Sequence, residues 1–135
     1  MPRITLAEME QESKVMGPTL KTETVDAWIE ELETTATHQV KGTFGYSDPL
    51  TGEKGRCALG VLLYDVSGGG DNAMSMPFSV WTHLVHMNDN GAGKTFAEIA
   101  RWVRGHRYLL DGTSKEKSKK RHLAVNGPRK RGGSN

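Results

Sequence analysis

Asn88-Asp89-Asn90-Gly91-Ala92-Gly93-Lys94-Thr95-Phe96-Ala97-Glu98 can be read in two ways, and each reading demands a different fold. From Asn88 to Thr95 it misses the phosphate-binding loop G-x-x-x-x-G-K-[ST] by one residue, with Asn88 in place of the first glycine. In such a loop backbone N–H groups cradle phosphate, the lysine reaches the outer phosphates and the Ser/Thr hydroxyl holds magnesium. That reading calls for a strand before the loop and a parallel sheet around it. From Thr95 onward the same stretch is a capping box, in which Thr95 and Glu98 satisfy each other's backbone N–H groups at a helix start. Phe96, Ile99, Ala100 and Val103 then fall at i, i+3, i+4 and i+7, one apolar stripe, with Gly105 as the stop.

The second reading accounts for more of the chain. Val61-Leu62-Leu63-Tyr64-Asp65 resembles the magnesium-holding strand of a nucleotide hydrolase, but it precedes the glycine loop, the reverse of the usual order. A parallel sheet also needs several βαβ units of about 30 residues each, and only residues 1–114 precede the basic tail. Calcium fails on register. With Gly91 at the obligatory glycine, His86 takes the first ligand position and Ala97 stands where a bidentate glutamate belongs. The expected fold is therefore mainly α.

Outward from this stretch, the helices follow from apolar spacing. Val25, Trp28, Ile29 and Leu32 predict an amphipathic helix over 25–35 with Thr24 as N-cap. Ile4 to Val15 reads as a short helix ending before Gly17-Pro18. Residues 38–56, with Gly42, Gly45, Asp48-Pro49 and Thr51-Gly52, read as a loop or small β-hairpin turning near Pro49, with Phe44 and Tyr46 packed beneath it. The apolar blocks Cys57–Val66 and Phe78–Met87, the latter opened by Pro77, are read as two more helices, although periodicity leaves strand open for both. The expected architecture is a compact bundle of about four helices with that hairpin and a disordered basic C-terminal arm. Its core is Trp28, Ile29, Leu32, Leu59, Leu62, Leu63, Trp81, Leu84, Phe96, Ile99 and Val103. The divisions are an N-terminal segment 1–21, a helical domain 22–111 and a tail 112–135.

Charge separates body from tail. Residues 1–114 hold 10 Lys/Arg against 15 Asp/Glu, a net of −5, and residues 115–135 hold eight Lys/Arg against Glu116 alone, a net of +7. With few apolar groups to support folding, 112–135 reads as a mobile arm. Lys115, Lys117, Lys119, Lys120, Arg121, Arg129, Lys130 and Arg131 are the candidate nucleic-acid contacts, acting by counterion release and so with little sequence preference. The alternatives are a solvated tail, one that neutralises the acidic body, or a body that binds a host protein.

The remaining candidates are weaker. His83 and His86, at i, i+3, could share a metal with His106, but spacing alone supplies neither geometry nor a supporting shell. Cys57 could pair with a histidine as a nucleophile, yet a cysteine within an apolar block is usually inert packing. Thr95–Ala100 is similar to the supporting helix of a helix-turn-helix, but the stretch from Gly105 to Gly112 is too short for a recognition helix. A single cysteine excludes an intrachain disulfide and fits a reducing cytosol. No run approaches the ~18 apolar residues of a membrane span, so a cytoplasmic protein is expected. No cofactor is expected.

Trp28, the block Cys57-Ala58-Leu59-Gly60-Val61-Leu62, Met87-Asn88-Asp89 and Thr95-Phe96-Ala97-Glu98-Ile99-Ala100 together resemble a group of small tailed-phage and actinobacterial proteins carrying a C-L-G-[VA]-L block and an L-N-D…[ST]-F-x-E-I-A block. The likeness spans roughly residues 25 to 104. It implies a shared fold and a phage or prophage setting, and no activity. The expected function is that of a non-enzymatic accessory protein whose basic tail associates with nucleic acid, with host-protein binding by the body as the alternative and nucleotide binding at 88–95 behind both.

Overall fold

A computed structural model describes residues 4–66, 76–89 and 93–118. The order of elements is α1 (Leu6–Met16), α2 (Thr22–Thr34), β1 (His38–Gln39), β2 (Gly45–Ser47), β3 (Lys54–Arg56), α3 (Ala58–Gly60) running into a π-helical stretch (Val61–Val66), α4 (Phe78–Asp89), α5 (Phe96–Gly105) and a 3-10 turn (Arg107–Leu109). The protein is mainly α with one small sheet.

α2 is the central helix and packs on α5 and on the π-helical stretch. Val25, Trp28, Ile29 and Leu32 form its buried stripe, and the Trp28 indole N–H donates to the Ala58 carbonyl at 3.0 Å. Burying an indole leaves its one donor to be satisfied, so this bond fixes α3 against α2. The helix begins at Thr22, with Lys21 at its cap and no side-chain capping bond, so Thr24 lies inside the first turn and is not the N-cap. Its start is fixed from elsewhere: the Thr19 and Leu20 N–H groups both donate to the Leu110 carbonyl, and Arg107 donates to the Thr22 carbonyl.

The expected core is present, with Leu63 and Trp81 only partly buried at its edge. Cys57–Val66 is helical, resolving the ambiguity of that block against strand. Gly60 makes its entry feasible: a Cβ there would lie 1.7 Å from the Phe44 carbonyl oxygen, so only glycine allows the loop to cross so close. The sheet adds a feature to the hairpin. β2 and β3 pair antiparallel around Asp48–Glu53, while β1 pairs parallel to β3, giving the order β1-β3-β2. Phe44 meets Trp81 edge to face; Tyr46 is 41% exposed, and its ring lies across Gly55 rather than in the core.

Two segments outside the central helices, α1 and residues 113–118, pack on the body. α1 belongs to the body: Met9 is buried, and the Ser13 hydroxyl donates to the Leu109 carbonyl at 3.0 Å. Residues 113–118 also pack against the body instead of opening an arm at 112. Ser118 is fully buried, its hydroxyl accepting the Tyr108 N–H at 3.2 Å, and Lys115 is 2.9 Å from Glu10. Two hydroxyls explain the docking. Ser114 accepts the Lys117 N–H and starts a helical turn that delivers Ser118 to an otherwise orphaned amide. None of the helices among the described residues is long and apolar enough to cross a membrane.

Candidate nucleic-acid interface

The near-phosphate loop has a structural purpose. Asn88 lies in the last turn of α4, so a helix precedes the glycines where a nucleotide hydrolase has a strand. Its side chain is 1% exposed and saturated with hydrogen bonds. Its Oδ1 accepts from Gln39 Nε2 at 2.9 Å and from the Ala58 N–H at 3.1 Å, and its Nδ2 donates to the Val40 carbonyl at 2.8 Å and to Asp89 Oδ1 at 2.7 Å. Gln39 completes the junction, donating to the Lys94 carbonyl and accepting the Phe96 N–H at 3.0 Å. One amide pair thus joins β1, α3, α4 and α5. Thr95 and Glu98 form the expected capping box, whose bond from the Thr95 N–H holds Glu98 below its usual pKa. Asp65 faces Arg56 at 3.4 Å and Lys54 at 3.9 Å.

Cys57 is equally structural. Its buried Sγ accepts the Gly60 N–H at 3.3 Å, and burial pushes the thiol pKa up, opposite to the activation a nucleophile needs. The three histidines do not gather as ligands. His83 and His106 both pack on Trp102, at ring separations of 5.0 and 4.2 Å. Among the described residues there is no cluster of three or more His, Cys, Asp or Glu placed to hold a metal.

Trp102 and His106 border a cleft of about 600 Å³ beside α5, lined also by Leu6, Met87 and Tyr108 with Lys94, Arg101 and Lys115. His106 stacks on Trp102 within 11° of parallel and donates its Nδ1–H to the Trp102 carbonyl at 2.7 Å. Burial, with the charges of His106 and His86 nearby, holds His83 below the usual histidine range. At the other end the Tyr108 hydroxyl donates to Glu10 at 2.7 Å; burial and that carboxylate push the phenol pKa up. Lys115 lies 5.5 Å over the Tyr108 ring.

Arg107 is the buried tie of the C-terminal turn. It binds Asp111, whose side chain is wholly buried, at 2.7 Å and also reaches Asp26 of α2. Burial opposes its charge, and the bonds to Asp26 and Asp111 more than offset that, raising its pKa. The i, i+4 spacing of Arg107 and Asp111 was the one available signal for it.

Of the basic candidates, Lys115 lines the cleft and Lys117 is exposed on the following helical turn. Lys119, Lys120, Arg121, Arg129, Lys130 and Arg131 lie outside the described residues. After α5 the chain enters the Arg107–Leu109 turn, leaving no recognition helix in the expected place. Compared with known protein families, curated proteins and solved structures, the chain matches none.

Proposed function

We propose that this protein is a non-enzymatic accessory protein that associates with nucleic acid, without sequence preference, through its basic C-terminal segment. The observation that carries this reading is the charge division. Beyond Ser118 the sequence holds Lys119, Lys120, Arg121, Arg129, Lys130 and Arg131 and no acidic residue, against a body of net −5 over residues 1–114. Such a segment gains affinity by releasing the counterions condensed on a phosphate backbone. The docking of residues 113–118 supports the reading, because it roots the segment at Lys115, beside Lys94 and Arg101. The likeness of the Cys57–Leu62 and Thr95–Ala100 blocks to tailed-phage proteins leads us to place the activity in a phage or prophage setting.

The test uses the full-length protein and a full-length variant with those six Lys/Arg changed to Gln. Mixed-sequence DNA and RNA should bind the parent at low salt and lose most of their affinity for the variant. If neither protein binds nucleic acid at low salt, the reading fails and a host protein recognised by the acidic body takes its place.

A further inference from the structure

Trp102, His106 and Tyr108, which border the cleft, continue a ladder of rings that begins at His83 outside its lining. His83 lies 5.0 Å from Trp102, Trp102 4.2 Å from His106, and His106 6.1 Å from Tyr108. All four rings are only partly buried, in contrast to Trp28, which is fully buried in the core. The cleft volume, about 600 Å³, lies within the range of ligand pockets. Three cations line it, Lys94, Arg101 and Lys115, with one carboxylate, Glu98, which makes the Thr95 cap and is also attracted by Lys94 and Arg101. The Lys115–Glu10 pair is half exposed, 50% on the lysine side, and water screening leaves such a pair weak enough for a phosphate to compete.

Aromatic rungs beside cations, with a run of basic residues following in the chain, have the composition of a surface for unpaired bases. A base stacks on a ring through its face whatever its sequence, and the cations track its phosphates. A duplex offers such rings no free base face. We propose that the cleft between α5 and the Arg107–Leu109 turn takes an unpaired base of single-stranded nucleic acid, stacked against the Trp102–His106–Tyr108 rings with flanking phosphates on Lys94, Arg101 and Lys115. This rests on the nucleic-acid reading above and narrows its substrate class to single strands.

The experiment measures binding of full-length protein to oligo-dT, oligo-U, a mixed-sequence duplex and free UMP at one low salt concentration. Single strands should bind about fivefold to a hundredfold tighter than the duplex, the range that stacking of one base corresponds to. His106→Ala should remove at least about fivefold from single-strand affinity and leave duplex affinity unchanged. Arg101→Gln, a neutral change at an exposed position, should likewise weaken single strands more than duplex. Equal affinity for single strands and duplex, unmoved by either substitution, overturns the cleft and leaves the basic segment standing. Saturable UMP binding without strand binding overturns it in favour of a free-nucleotide pocket. Binding of no nucleic acid at all overturns both readings.

Discussion

Asn88 shows how one side chain can decide what a motif means. Its amide meets four partners in a place with almost no water, and an unmade bond there costs the full desolvation of the abandoned group. Asn88→Gly would complete the phosphate-loop signature in the sequence while removing the junction of β1, α3, α4 and α5. We predict a loss of about 2 to 4 kcal/mol in urea unfolding, from orphaned partners and a helical glycine, and no saturable binding of magnesium-ATP. An unchanged midpoint, or nucleotide binding gained, would show that the loop is a phosphate site in waiting. Gly60 and Cys57 carry the same lesson. The residues that mark the Cys57–Leu62 block cap, cross closely or fill the core.

Among the elements, those legible in the sequence are the ones that local spacing determines. The α5 capping box lies within four residues, so Thr95 and Glu98 announce it. Thr95→Ala should cost about 1 kcal/mol as a lost N-cap; an unmoved thermal midpoint would count against that cap. Pro77 announces the start of α4 at Phe78, but its capping group was not legible, because it comes from another helix. Glu12 of α1 accepts the Phe78 and Ser79 N–H groups at 3.0 and 2.8 Å and the Ser79 hydroxyl. No periodicity links positions so far apart. The Ser79 hydroxyl bond, opposed by burial and aided by those amides, lowers the Glu12 pKa from its ordinary 4.5. A carboxylate depressed in the folded state adds stability that is complete above the unfolded pKa and lost as pH falls through the folded one. Glu12→Gln should therefore be less stable than the parent at neutral pH, with a shallower decline on acidification below about 4.5. Parallel pH curves would remove Glu12 from the account. The parallel pairing of β1 with β3 was hidden for a related reason, since a two-residue strand carries no alternation to read.

For the whole molecule, the division of charge was visible from sequence but its boundary was not. Composition alone starts the basic segment near 112, whereas two serine hydroxyls and the Glu10–Lys115 pair fasten residues 113–118 to the body. The cleft was legible only in fragments. His83 and His106 stood out as possible ligands, while Trp102, off the buried stripe of α5, gave no sign that it stands between them. Rings far apart along the chain become one surface only when α4, α5 and the Arg107–Leu109 turn converge. The central claim, that the basic segment binds nucleic acid through phosphate, is tested most directly by the salt dependence of binding to a mixed-sequence duplex. For six to eight phosphate contacts the logarithm of the binding constant should fall against log salt with a slope of about −5 to −7, and the slope should collapse when the six Lys/Arg beyond Ser118 become Gln. A parent slope near zero, or one the substitutions leave unchanged, would contradict the account.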